Sequence, residues 1–164
     1  MQKLSIIIPV YNEKNTILKV ISNVKKLKIK NITKEIILVD DCSTDGTKDF
    51  LKKFNDKIIK IFYHTKNMGK GASIRTALQH STGNIIVIQD ADLEYDTKNI
   101  IKLIKPILND SSDVVYGPRF VGKKLVLFGK NKTLLPLHLI GNRLLTFLTN
   151  ILYFNSITDM ETGC

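Results

Sequence analysis

The feature that most constrains the fold is a repeated alternation of short apolar runs with amphipathic segments between residues 3 and 118. The apolar runs are rich in Ile and Val. Their apolar residues do not alternate with polar ones, as they would in a strand with one solvent-exposed face. Runs of this kind are typical of strands that are buried on both faces of a sheet. Strands are predicted at residues 3–10, 35–39, 58–63, 84–89 and 113–117.

The segments between these runs have the spacing of helices. In the first of them, Ile17, Val20, Ile21 and Val24 form one apolar stripe. Helices are predicted at residues 13–27, around 50–54, at 72–80 and from 96 or 97 to 108, the last one bent or shortened by Pro106. This alternation predicts βαβ units, and therefore an α/β fold with a mostly parallel central sheet flanked by helices.

Polar residues directly follow three of the predicted strands. Tyr11–Glu13 follow the first strand, Asp40–Asp41 the second and Asp90–Asp92 the fourth. The carboxyl ends of parallel strands meet at one edge of a sheet, and ligands of such sheets bind beyond that edge. Three clusters at a shared edge are stronger evidence than any one of them, and they predict a nucleotide site.

Asp90 and Asp92 form a D-x-D pair at the end of the fourth predicted strand. Side chains at i and i+2 of an extended chain point to the same side, so these carboxylates can converge on one cation. Oxygen ligands suit the hard cations Mg²⁺ or Mn²⁺. Such a cation could also hold a diphosphate and neutralise its charge as it leaves. Taken alone, the pair is a weak signal and fits a solvated acidic turn better than a metal site.

The charge of the chain favours anionic partners. Its 164 residues carry a net charge of +10, which suits nucleotides, nucleic acid or an anionic membrane surface. No nucleic acid is expected as a partner, since aromatic residues do not interleave with the lysines as a stacking platform. Cys42 and Cys164 have neither metal spacing nor a disulfide framework, which favours the reducing cytoplasm.

The pattern changes after residue 120. A lysine-studded loop is followed by the strongly apolar residues 134–157, which Arg143 interrupts. A central Arg is costly in hydrocarbon, so a helix packed on the domain or lying at a membrane interface is favoured over a span. We predict a nucleotide-binding half at residues 1–120 and an acceptor-side, membrane-proximal segment of the same domain at 121–164. The abrupt end suggests a chain truncated at its C-terminus.

Seven segments of the chain recur, in this order, in one known family. They are Ser5–Glu13, Val39–Thr47, Asn67–Gly71, Asp90–Glu94, Gly117–Phe120, Gly141–Arg143 and Asp159–Gly163. Together they resemble a family 2 glycosyltransferase with the Rossmann-like GT-A fold, which binds nucleotide sugars. The likeness is greatest to the polyprenyl-phosphate (dolichyl-phosphate) mannose or glucose synthases. It covers nearly the whole chain.

The resemblance implies roles for the donor-side positions. The base and ribose of a nucleoside diphosphate sugar would be held by Pro9, Tyr11, Glu13, Val39 and Asp41. Asp90 and Asp92 would bind Mg²⁺ or Mn²⁺ and the diphosphate, and Ala91 would contact the nucleotide by its backbone. Glu94 stands where many of these synthases have Gln, and it would be a metal ligand or lie behind the ligands.

The resemblance also implies roles on the acceptor side. Arg119 would lie near the diphosphate or the acceptor phosphate, and Arg143 would meet the acceptor phosphate. Asp159 and Glu161 match the acidic motif beside the acceptor. The residues expected to take part in catalysis are therefore Asp92, Arg119, Asp159 and Glu161.

The implied activity is a metal-dependent inverting transfer of a hexose from a GDP-mannose or UDP-glucose type donor. The expected acceptor is a polyprenyl phosphate, reached by peripheral contact with the cytoplasmic face of a membrane. A hydroxyl acceptor would instead need Asp159 or Glu161 as a base. A truncated, non-catalytic module that binds nucleotide sugars is a further alternative. A haloacid dehalogenase phosphatase would carry its D-x-D on the first strand, and a dinucleotide oxidoreductase would need a G-x-G-x-x-G motif.

Overall fold

The computed structural model describes residues 2–117 and 136–153. The chain divides into two compact units, Met1–Val115 and Tyr116–Cys164. The first unit contains all the strands of the described residues, and the second contains one described helix.

The first unit is built on a parallel sheet of four strands in the order β3-β2-β1-β4. The strands are β1 (Gln2–Val10), β2 (Ile32–Asp40), β3 (Ile59–Tyr63) and β4 (Ile85–Ile88). The long strands β1 and β2 form the centre, where they are covered on both faces, as their unbroken apolar runs predict. The predicted α/β fold with a mostly parallel sheet is confirmed.

Helices cover both faces of this sheet. They are α1 (Ile17–Lys26), α2 (Thr47–Leu51), α3 (Lys70–Gln79) and α4 (Asn99–Leu108). Side chains of a strand alternate between faces, so Ile6 and Ile8 of β1 pack in a core shared with α1, α2 and α4. Ile7 points the other way and packs with Ala77 of α3.

The structure differs from the sequence-based prediction at several places. The helix predicted from residue 13 begins at Ile17, because the preceding residues form a turn in which Glu13 O accepts the N–H of Thr16 and Ile17. Helix α4 ends at Leu108, as predicted, and contains Pro106 without being shortened by it. The predicted strand at 113–117 is wrong: these residues are irregular, and Val114 is 63% exposed. A β-strand forms only where a neighbouring strand pairs with its backbone N–H and C=O groups.

The second unit contains α5 (Pro136–Tyr153), which lies within the helix predicted from the apolar residues 134–157. Large apolar side chains are exposed along α5, namely Leu144, Leu145, Phe147, Leu148, Ile151 and Leu152. Among residues 2–117 and 136–153, no helix combines the length and the hydropathy that a membrane crossing requires.

Candidate functional site

The loops that follow β1 and β2 are joined by hydrogen bonds at the carboxyl edge of the sheet. The backbone N–H of Asn12 donates to Ser43 Oγ at 2.9 Å, and the N–H of Thr44 donates to Asn12 Oδ1 at 2.8 Å. The N–H of Glu13 donates to Thr47 Oγ1 at 3.0 Å. The two polar clusters predicted to share an edge therefore form one connected surface.

Asp41 connects this surface to the loop that follows β3. Its Oδ1 accepts the backbone N–H of Met68 at 2.9 Å, and its Oδ2 accepts that of Gly69 at 2.7 Å. His64 Nδ1 lies 2.7 Å from Oδ1. Burial by itself would raise the pKa of Asp41, but the hydrogen bonds from His64, Met68 and Gly69 outweigh it and lower that pKa. The carboxylate stays ionised and fixes the loop.

His64 is a contributor to this edge that the sequence motifs did not single out. Its side chain is nearly buried, and Nε2 lies 2.9 Å from Thr76 Oγ1 of α3. It thus bridges Asp41 and α3. Its place directly after β3, at the same sheet edge as the predicted clusters, is the one signal that could have indicated this role.

Asp90 and Asp92 lie just beyond β4. The N–H of Gln89 donates to Ile7 O at 2.9 Å, so the backbone pairing with β1 continues up to the D-x-D pair. Asp90 is partly buried, and its Oδ1 lies 2.6 Å from Lys70 Nζ, at the start of α3. This ion pair joins the fourth strand to the loop that Asp41 holds.

A tight turn orients Asp92. Its Oδ1 accepts the N–H of Glu94 at 2.9 Å, and Leu93 between them has a φ of 65°. A positive φ is unusual for a bulky residue, and Asn12 and Cys42 share this property in the loops after β1 and β2. Strained backbone of this kind clusters at functional sites. All three of these carboxyl-edge loops therefore contain a residue held in the left-handed region.

The carboxylates of Asp90 and Asp92 fit a divalent cation that is held jointly with a substrate. Within the described ranges, no group of three or more His, Cys, Asp or Glu side chains could hold an ion by itself. Mg²⁺ is commonly bound by one or two carboxylates, with substrate phosphates and water completing its shell. The ammonium at Asp90 shows that this position already attracts positive charge. Glu94 is exposed and does not complete a three-carboxylate cluster.

The other predicted residues divide into four groups. Pro9 and Val39 are buried register partners near the ends of β1 and β2, and Ala91 is buried beside Asp90. Tyr11 is 47% exposed at the same edge, where its ring is accessible to a ligand. Arg143 is exposed on α5, in the second unit. Arg119, Asp159 and Glu161 lie outside the described residues.

A cleft of about 590 Å³ lies between the C-terminal end of α1 and the segment after Asp92. Its walls include Lys26, Lys28 and Lys98 but neither residue of the D-x-D pair. We therefore place the candidate site by the joined loops of the sheet edge rather than by this cleft.

Comparison with known proteins adds a family match. A profile described as Glycosyl transferase family 2 matches residues 5–164. The dolichol-phosphate mannosyltransferase of Pyrococcus furiosus is 32% identical over 120 residues, which cover 73% of this chain and 34% of that protein. The UDP-N-acetylglucosamine–dolichyl-phosphate N-acetylglucosaminyltransferase of Methanococcus voltae is 32% identical over 176 residues, which cover 96% of this chain and 66% of that protein. The chain thus spans about one third to two thirds of these relatives.

A solved structure shows the same fold. The mannosyltransferase PcManGT from Pyrobaculum calidifontis, in complex with GDP-Man and Mn²⁺, superposes with a TM-score of 0.51 at 25% identity. The alignment covers 75% of this chain and 33% of that one. The chain therefore matches one part of a longer protein.

Proposed function

The chain belongs to glycosyl transferase family 2 and has the predicted GT-A fold, and from this premise we propose that it transfers a hexose from a nucleoside diphosphate sugar with inversion. The observation that carries the proposal is the joined sheet edge, where the Asp41 loop and the D-x-D pair meet through the ion pair of Lys70 with Asp90. The named relatives and PcManGT support it, because their names refer to nucleotide sugars or dolichyl phosphates.

The donor would bind across this edge. Its base and ribose would contact Pro9, Tyr11 and Glu13, with Val39 and Asp41 completing the pocket. The exposed ring of Tyr11 offers an apolar surface to a base. The donor would be of the GDP-mannose or UDP-glucose type, since relatives of both nucleotide classes are similar to this chain.

Asp90 and Asp92 would hold Mg²⁺ or Mn²⁺ together with the diphosphate. Glu94 would be a further ligand or would lie behind the ligands. The backbone of Ala91 would contact the nucleotide. When bound, the cation would offset the negative charge that develops on the leaving diphosphate. Arg119 would add a planar, always charged fork for the same phosphates.

The acceptor would be a polyprenyl phosphate at the cytoplasmic face of a membrane. A phosphate is already ionised near neutral pH and needs little help from a base, and Arg143 would contact it. The names of two relatives and the net charge of +10 support this choice. A hydroxyl acceptor would instead pass its proton to Asp159 or Glu161.

Calorimetric titration with GDP and with UDP, each with and without Mn²⁺, tests the donor site. Asp92→Asn removes the charge but keeps an oxygen for the turn hydrogen bond to Glu94 N–H. Asp96→Asn is the matched control, because Asp96 makes the same kind of bond to Lys98 N–H in the same loop. We expect Mn²⁺-dependent binding of one nucleotide, weakened at least about tenfold in Asp92→Asn alone. Equal loss in both variants, or no binding, would contradict the proposal.

A further inference from the structure

The ammonium group of Lys70 contacts the inner carboxylate of the D-x-D pair. Lys70 Nζ lies 2.6 Å from Asp90 Oδ1, and the lysine side chain is 50% exposed while that of Asp90 is 16% exposed. This distance is that of a direct, charge-assisted hydrogen bond. The contact therefore joins a half-exposed cationic side chain to a largely enclosed carboxylate.

The backbone next to Lys70 is held in place by Asp41, which follows β2. Gly69, the residue before it, donates its N–H to Asp41 Oδ2 at 2.7 Å and has a φ of 86°. Helix α3 begins at Lys70 itself. The lysine thus reaches Asp90 from a fixed anchor, and the long side chain can turn to solvent without moving the helix.

A divalent cation and an ammonium group cannot both contact the same carboxylate oxygen without strong repulsion, because the Coulomb energy rises as two like charges approach. Binding of the cation at Asp90 Oδ1 therefore requires Lys70 Nζ to leave that oxygen. Half of the surface of the lysine side chain is exposed to water, so its ammonium group remains hydrated when it leaves this oxygen.

We propose that Lys70 is a tethered counter-ion that competes with the divalent cation for Asp90. This inference rests on the proposed function, because it takes Asp90 as a metal ligand. The lysine balances the charge of the carboxylate in the free protein and weakens binding of the cation alone. A nucleoside diphosphate shifts the competition, since its phosphates add negative charge and further ligands for the cation.

The direct test measures Mn²⁺ binding without nucleotide, by electron paramagnetic resonance of the free ion. Lys70→Met keeps the length of the side chain and removes its charge. We expect it to bind Mn²⁺ about fivefold more tightly than wild type, the size of a partly exposed ion pair. Lys70→Arg retains the cation and should bind Mn²⁺ no more tightly than wild type.

A matched control separates the contact from the general loss of charge. Lys66→Met removes one positive charge from the same loop, between β3 and α3, and should change Mn²⁺ binding by less than about twofold. Asp90→Asn reports whether the measured ion occupies the proposed site. Circular dichroism of each variant checks that the fold is retained.

The outcomes distinguish this inference from the function on which it rests. Mn²⁺ binding that is lost in Asp90→Asn and tightened only in Lys70→Met supports the competition. Binding that is lost in Asp90→Asn but unchanged or weakened in Lys70→Met overturns the competition and leaves the metal site intact. Mn²⁺ binding that Asp90→Asn leaves unchanged, in the wild-type and in the Lys70→Met background, overturns both the competition and the metal site at Asp90.

Discussion

At the residue scale, Gly83 occupies a position with no room for a side chain. A Cβ atom there would lie 2.6 Å from Ser5 Oγ and 2.7 Å from both Lys3 O and Ser5 N. Ser5 Oγ also accepts the N–H of Gly83 at 2.9 Å. The close approach of this backbone to β1 fixes the point at which β4 begins. It therefore also helps to fix the position of Asp90, which follows β4.

Gly83→Ala should lower the free energy of unfolding by about 2 kcal/mol, because the clash falls on β1 backbone as well as on Ser5. Gly71→Ala is the control: nothing lies within 4 Å of its Cβ, and Ala favours the helix α3 by about 0.5–1 kcal/mol. Urea denaturation followed by circular dichroism measures both. Equal stability of the two variants would contradict the close packing of Gly83 against β1.

At the scale of elements, the start of β4 is also held by a buried acid on β2. Glu35 Oε1 accepts the N–H of Thr82 at 2.6 Å and the hydroxyl of Ser5 at 2.7 Å. Its Oε2 lies 3.1 Å from Lys3 Nζ and 3.0 Å from Lys60 Nζ. Burial would raise the pKa of Glu35, but these hydrogen bonds and ammonium groups together hold the pKa far below its usual range.

This arrangement predicts a pH-dependent stability. A Glu whose folded pKa is lowered stabilises the protein above its unfolded pKa of about 4.3, and the effect disappears as the pH falls towards the folded pKa. Glu35→Gln should lower the free energy of unfolding by about 3 kcal/mol at neutral pH, because the ammonium groups of Lys3 and Lys60 lose their carboxylate partner. The difference in unfolding free energy from wild type should stay constant from pH 8 to 6 and shrink below about pH 4.5. A pH-independent difference would contradict the assignment.

The elements that the sequence predicts well are those set by local pattern. The unbroken apolar runs of β1 and β2 and the stripe of α1 each need only their own residues, and all three elements are present. The run at 113–117 has the same local pattern but no strand beside it among the described residues, and pairing is not encoded in the run itself. The position of the D-x-D pair follows from β4, whereas the contact of Lys70 with Asp90 spans 20 residues and depends on the folded edge.

At the scale of the whole molecule, the charge of the chain bears on where it works. The net charge of +10 and the lysine-rich residues 121–133 support the proposed contact with an anionic membrane surface. Such attraction is worth about 1 kcal/mol for each basic residue near the surface and decays within a Debye length.

Flotation with vesicles tests this proposal. The chain should float with vesicles of phosphatidylcholine containing about one third phosphatidylserine in low salt, and remain unbound in 0.5 M salt, because the attraction is screened. Vesicles of phosphatidylcholine alone are the control and should recruit much less protein. Absence of binding to the anionic vesicles at low salt would count against a membrane-surface acceptor.

Anomalous scattering of Mn²⁺, in crystals grown with the nucleotide that the titration selects, would locate the metal directly. We predict a peak within about 2.5 Å of a carboxylate oxygen of Asp90 or Asp92, with the diphosphate beside it and Lys70 Nζ turned away from Asp90. A bound nucleotide whose Mn²⁺ lies away from both aspartates would contradict the proposed metal site, and a Lys70–Asp90 contact unchanged beside a bound ion would contradict the competition.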